Sequence, residues 1–213
     1  MQPSEKGPIG SSISKLAVIG FLIIFFILVT LFPFSHQTQT LWYKIGTDRT
    51  LLIAGQLVGL YSVCLVWCQL VLIARPPFLT KIFGVASLSS THRFIGKMIP
   101  VAVMAHVLLI LVPEGLANLP VGWKFWPEML GFLAFLLLLL LAVSNWLRLK
   151  LAIPYPQWKT THRLLGLTAC LGVGAHIVFV SDAFRQTAPR IYILILFISV
   201  LLTYSYGKWK QRK

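Results

Sequence analysis

Thr91-His92-Arg93-Phe94-Ile95-Gly96, running on to Ala105-His106, is matched later in the chain by Thr161-His162-Arg163-Leu164-Leu165-Gly166, running on to Ala175-His176. The second copy follows the first by 70 residues, and the two histidines are 14 residues apart in each. At about 1.5 Å of rise and about 100° per residue, 14 steps advance a helix by roughly 21 Å and bring a side chain back to within about 40° of its starting face. Each copy therefore sets two imidazoles on nearly one face of one helix, one well above the other. Two such helices running side by side bring the four imidazoles together as two facing pairs.

The sequence around the repeat belongs in a bilayer. Of the 213 residues 57% are hydrophobic and only 11% charged, against about 25% charge in soluble domains. A span needs about 20 mostly apolar residues, and six stretches qualify: Lys15–Phe34, Leu51–Ala74, Arg93–Val112, Glu128–Leu147, Arg163–Val180 and Arg190–Gly207. The expected fold is an all-α integral membrane bundle of six helices, with the paired histidines on the third and fifth. Residues 1–14 read as a cytoplasmic lead, 15–207 as the helical domain and 208–213 as a basic cytoplasmic tail.

The net charge of +14 is a topology signal rather than a nucleic-acid footprint. With six spans, the two termini share a side with the second and fourth loops, and 14 of the 19 Lys and Arg gather there. Lys44, Arg49, Lys124, Arg185 and Arg190 make up the other side, together with the acids Asp48, Glu114, Glu128 and Asp182. By the positive-inside rule both termini are cytoplasmic, as in a bacterial inner or plasma membrane protein. The basic side suits anionic lipid headgroups and an acidic soluble partner.

Other candidates read more plainly. Cys64, Cys68 and Cys170 fall inside spans and behave as small buried hydrophobes. His36 reads as a solvated loop residue, and Trp67 as a packing residue before an electron relay. Phe78–Ser90 reads as a short amphipathic segment on the inner surface, where a donor can dock. No Gly-rich dinucleotide fingerprint occurs, so no flavin or nicotinamide domain of the chain's own is expected.

An ionisable residue within a span marks function by default, and four histidines at two equal spacings are hard to ascribe to packing. Spans three and five run the same way, so His92 and His162 lie together at the inner level and His106 and His176 at the outer. Two neutral imidazoles per iron fill both axial positions of a haem, which suits electron transfer over oxygen binding. The expectation is two stacked bis-histidine b-type haems between helices three and five. Gly96 and Gly166, one turn past the inner ligands, give a flat macrocycle room against the helix. Arg93 and Arg163 are candidates for its propionates, with plain positive-inside charge as the alternative. Thr91 and Thr161 are expected to cap their helices. A transition-metal site or proton relay is the rival reading. It is weakened because two imidazoles meet at each level and no Asp or Glu sits mid-span.

With six spans and His92, His106, His162 and His176 on the third and fifth, the chain resembles the ferric-reductase transmembrane domain superfamily. NADPH oxidases, ferric reductases and the haem subunit of the bacterial methionine sulfoxide reductase system are its members. The resemblance implies that His92 with His162 ligates the inner haem and His106 with His176 the outer. It also implies a path for electrons from a cytoplasmic flavin or NAD(P)H donor to an acceptor outside. Fused members continue into flavin- and nucleotide-binding domains; this sequence stops at Lys213, which points to a separate cytoplasmic flavoprotein carrying FAD or FMN, or to a longer protein cut at that boundary. The outer acceptor, a protein or a small molecule, is left open. A cytochrome of the b561 kind and a haem-free transporter or structural subunit are the alternatives.

Overall fold

The computed structural model describes residues 8–115 and 119–211. Its elements in chain order are α1 (Pro8–Ser35), α2 (Gln39–Tyr43), α3 (Gly46–Ala74), α4 (Pro77–Phe83), α5 (Val85–Glu114), α6 (Trp126–Lys150), α7 (Tyr155–Val180) and α8 (Thr187–Lys210). Six of them, α1, α3, α5, α6, α7 and α8, are long and apolar enough to cross a membrane. In lipid the backbone must satisfy its own hydrogen bonds, and a helix does so within one segment. The six expected spans are all present, with the histidines on the third and fifth. The chain is an integral membrane protein.

Both histidine helices start earlier than expected. Lys81 and its apolar neighbours form α4, but Gly84, at φ 77°, ends that helix and Val85 opens α5 at once. Likewise α7 starts at Tyr155, with Pro156 in its first turn where a missing N–H costs nothing. Thr91 and Thr161 therefore sit inside their helices and cap neither. The Gly and Pro signals that set the starts lie seven residues before each threonine. At the amino end helix begins at Pro8, so only residues 1–7 of the expected lead lie outside the described residues. Residues 212 and 213 of the tail do too.

The bundle is built from two antiparallel pairs, α3 with α5 and α6 with α7, with α8 packed along α3. Helix α3 is the most enclosed span. Its Val63, Val66, Trp67 and Leu70 meet Ile99, Leu138, Ala169 and Val173 in the central core. Trp67 packs against Phe197 of α8 at 5.4 Å between ring centres. Helix α1 lies at the edge and presents Phe21, Ile24 and Leu28 outward, where lipid tails cover them at no hydrophobic cost. At the end of the bundle that carries both termini, hereafter the basic end, Gly207 of α8 leaves so little room that a Cβ there would lie 2.5 Å from the Ala74 carbonyl oxygen. Lys208 Nζ and Gln211 Nε2 donate to the carbonyls of Ile73 and Ala74 at 2.9 and 2.6 Å. Side chains from α8 thus satisfy the carbonyls that the end of α3 leaves open.

Candidate haem site: two histidine pairs

Helices α5 and α7 hold the four histidines yet scarcely touch along their backbones; each leans on its own antiparallel partner instead. His92 and His162 face each other across that gap at the basic end, ring centres 6.5 Å apart and planes at 70°. His106 and His176 lie nearer the opposite, far end and within electrostatic range of each other.

The hydrogen bonds on the imidazoles decide which nitrogen is free. His106 Nδ1 lies 2.8 Å from the Gly55 carbonyl oxygen of α3, and His176 Nδ1 lies 2.7 Å from the Pro127 carbonyl oxygen of α6. A carbonyl only accepts, so Nδ1 carries the proton in both rings and Nε2 keeps its lone pair. His162 Nδ1 lies 2.9 Å from Ser144 Oγ, whose own proton goes to the Leu141 carbonyl at 2.8 Å. The hydroxyl is thus an acceptor towards the imidazole, and His162 adopts the same tautomer. A histidine that ligates a metal almost always donates its other N–H in this way. His92 stands apart. Its Nδ1 is buried without a hydrogen-bond partner, although Gln69 Nε2 donates to the His92 backbone carbonyl at 3.1 Å.

The arrangement repeats between the two helix pairs. Gly55 and Gly59 on α3 serve His106 as Pro127 and Gly131 on α6 serve His176. In each case the glycine follows the accepting carbonyl by four residues. A Cβ on Gly59 would come within 2.7 Å of the His106 ring, and one on Gly131 within 2.5 Å of the His176 ring. Both glycines are therefore cradles that let an imidazole reach a helix backbone. The antiparallel register that sets Gly55 opposite His106 also sets Gln69 opposite His92. On the other pair, Leu141 falls opposite His162.

A haem fits these residues. Two imidazoles that share one metal at about 2.0–2.1 Å from each nitrogen have ring centres about 6.5 Å apart. The basic-end pair has that spacing. Among the described residues no three His, Cys, Asp or Glu side chains converge. Two imidazoles are then the full protein donor set at each level, which suits an iron whose other ligands come from a macrocycle. The remaining expected site residues fall nearby. Gly166 borders open space, and the one neighbour a Cβ on Gly96 would meet is Gln69 Nε2, at 3.5 Å. Gly166 thus has no helix against it, and Gly96 meets α3 only through the Gln69 amide. Arg93 and Arg163 are exposed. His36 stacks on Phe32 at 5.0 Å, and its Nδ1 is 2.9 Å from Ser35 Oγ, so it is tied to the end of its own helix. Gly59, Gly131, Ser144 and the accepting carbonyls were not apparent as site residues from the repeat, because they lie on α3 and α6, outside it.

The sequence model of the ferric reductase-like transmembrane component matches residues 58–173. The chain belongs to that family. The match takes in His92, His106 and His162 and ends three residues short of His176. A protein of Archaeoglobus fulgidus, described only as uncharacterized, is 26% identical over 138 residues, covering 57% of this chain and 75% of that protein. No solved structure matches.

Proposed function

We propose that the protein carries electrons across a membrane through two b-type haems, from a cytoplasmic flavin or NAD(P)H system to an acceptor on the outer side. Membership of the ferric reductase-like family makes membrane electron transfer the activity class. One observation carries the rest of the reading: three imidazoles, on two helices, share a tautomer that leaves Nε2 free to bind a metal.

Held by His92 with His162 and by His106 with His176, haem would supply a one-electron iron centre at each level, and two imidazoles on each iron would suit electron transfer over oxygen binding. The chain's own residues do the positioning. Gly55 and Pro127 hold the far-end rings through Nδ1, and Ser144 holds the His162 ring. The hydrogen bonds also raise ligand basicity. About 21 Å of helix rise between the levels spans most of a hydrocarbon core of about 30 Å. The donor side is the basic end, where the excess of Lys and Arg argues for the cytoplasm. That surface suits an acidic flavoprotein, the source of FAD or FMN.

The test uses haem-loaded protein in sealed vesicles with ferricyanide trapped inside. Dithionite added outside should bleach the trapped ferricyanide, and His106→Ala should slow this to the leak rate of empty vesicles. Equal rates for wild type and empty vesicles would sink the conduit reading.

A further inference from the structure

We infer that Arg75 and Arg148 hold the two carboxylates of the haem carried by His92 and His162, an inference that rests on the haem reading above.

The two arginines occupy corresponding places. Arg75 caps the end of α3, the helix that backs His92, and Arg148 lies in the last turn of α6, the helix that backs His162. Both Nε atoms are buried and have no hydrogen-bond partner. Arg75 adopts a left-handed backbone, φ 48°, and its Nη2 donates to Ser89 Oγ at 2.9 Å. It lies within electrostatic range of His92. The Arg148 guanidinium sits over the rings of Tyr155 and Trp158, 5.9 and 5.6 Å from their centres. Trp158 in turn stacks on His162 at 5.1 Å. The indole Nε1 of Trp158 is a third buried donor without an acceptor. Unanswered N–H groups therefore flank both members of the basic-end pair.

Both arginines are half-buried, a guanidinium cannot shed its proton, and a donor enclosed without an acceptor is unfavourable. Among the described residues no carboxylate pairs with either arginine. The ion pairs found among the described residues join Lys44 to Glu114 and Arg185 to Asp182, and every described acid lies in the far-end half of the chain's topology. Cations gather at this end of the bundle, where Arg163, Arg75 and Lys159 all bear on Lys208. A b-type haem carries two carboxylates on one edge. An arginine fork matches a carboxylate, and two forks flank this pair. Arg93 and Arg163, by contrast, are exposed to solvent or headgroups.

The experiment is a potentiometric titration of the full chain, followed by haem absorbance, in a His106→Ala background that isolates the basic-end centre. Loss of a positive charge favours the oxidised iron, so Arg75→Gln and Arg148→Gln should each lower its midpoint. The expected shift is about tenfold in the reduction equilibrium, which is about 59 mV for one electron. Arg148→Lys, which keeps the charge without the fork, should recover part of it. Lysine variants also serve if a glutamine variant does not fold. Unchanged midpoints in both arginine variants, with haem bound, would overturn the inference and leave the haem reading standing. So would a shift seen only with inorganic phosphate present, which would assign the arginines to a soluble anion. Wild-type protein that takes up no haem would overturn the haem reading itself.

Discussion

At the residue scale, the proposed haem ligation turns on which imidazole nitrogen bears the proton. Carbonyl oxygens settle this for His106 and His176, and Ser144 settles it for His162. The cradling glycines make those contacts possible, and they separate two kinds of substitution. Gly131→Ala puts a Cβ 2.5 Å from the His176 ring, so the ring must shift. Haem at that level should fall by about 10- to 100-fold in affinity, the usual cost of disturbing an outer-shell partner. A haem-binding titration reads this directly. A Cβ on Gly166 meets no protein atom within 4 Å, so Gly166→Leu starts its side chain in open space. Its melting temperature should stay near wild type while haem content falls by about half. Full haem content in that variant would show that no macrocycle lies against Gly166.

At the scale of the element, each histidine helix is positioned by its antiparallel neighbour, not by the other histidine helix. That is why the repeat was legible and its support was not. The 14-residue spacing and the apolar lengths can be read from one segment at a time, and they give the six spans and the two helices that carry the histidines. Gly59, Gly131 and Ser144 gain meaning only through the register between helices. The sole local trace is that Gly59 follows Gly55, and Gly131 follows Pro127, by the same four residues. Thr91 and Thr161 misled for the opposite reason. A threonine before an apolar run resembles a cap, but the stronger signals, Gly84 and Pro154-Tyr155-Pro156, lie upstream and set the helix starts. The α3–α8 contact is equally local in its consequences. Gly207→Val places side-chain atoms against the Ala74 backbone, an overpacking cost of roughly 1–3 kcal/mol. Thermal unfolding in detergent should show a lowered midpoint, with the far-end haem retained.

At the scale of the molecule, two helix pairs each bring one histidine to each level, and the proposed haems lie between α5 and α7. The basic and far-end sites have different supports, two backbone carbonyls at one and a hydroxyl with an unpartnered Nδ1 at the other. They should therefore load separately. Removing His176 should leave about one haem per chain with a low-spin spectrum, and loss of both from folded protein would contradict independent sites. The most direct test of the whole account is the dithionite-reduced minus oxidised spectrum of the purified protein, with haem quantified per chain. The account predicts about two low-spin b-type haems per chain. Folded protein that holds no haem after expression with ample haem supply would contradict it.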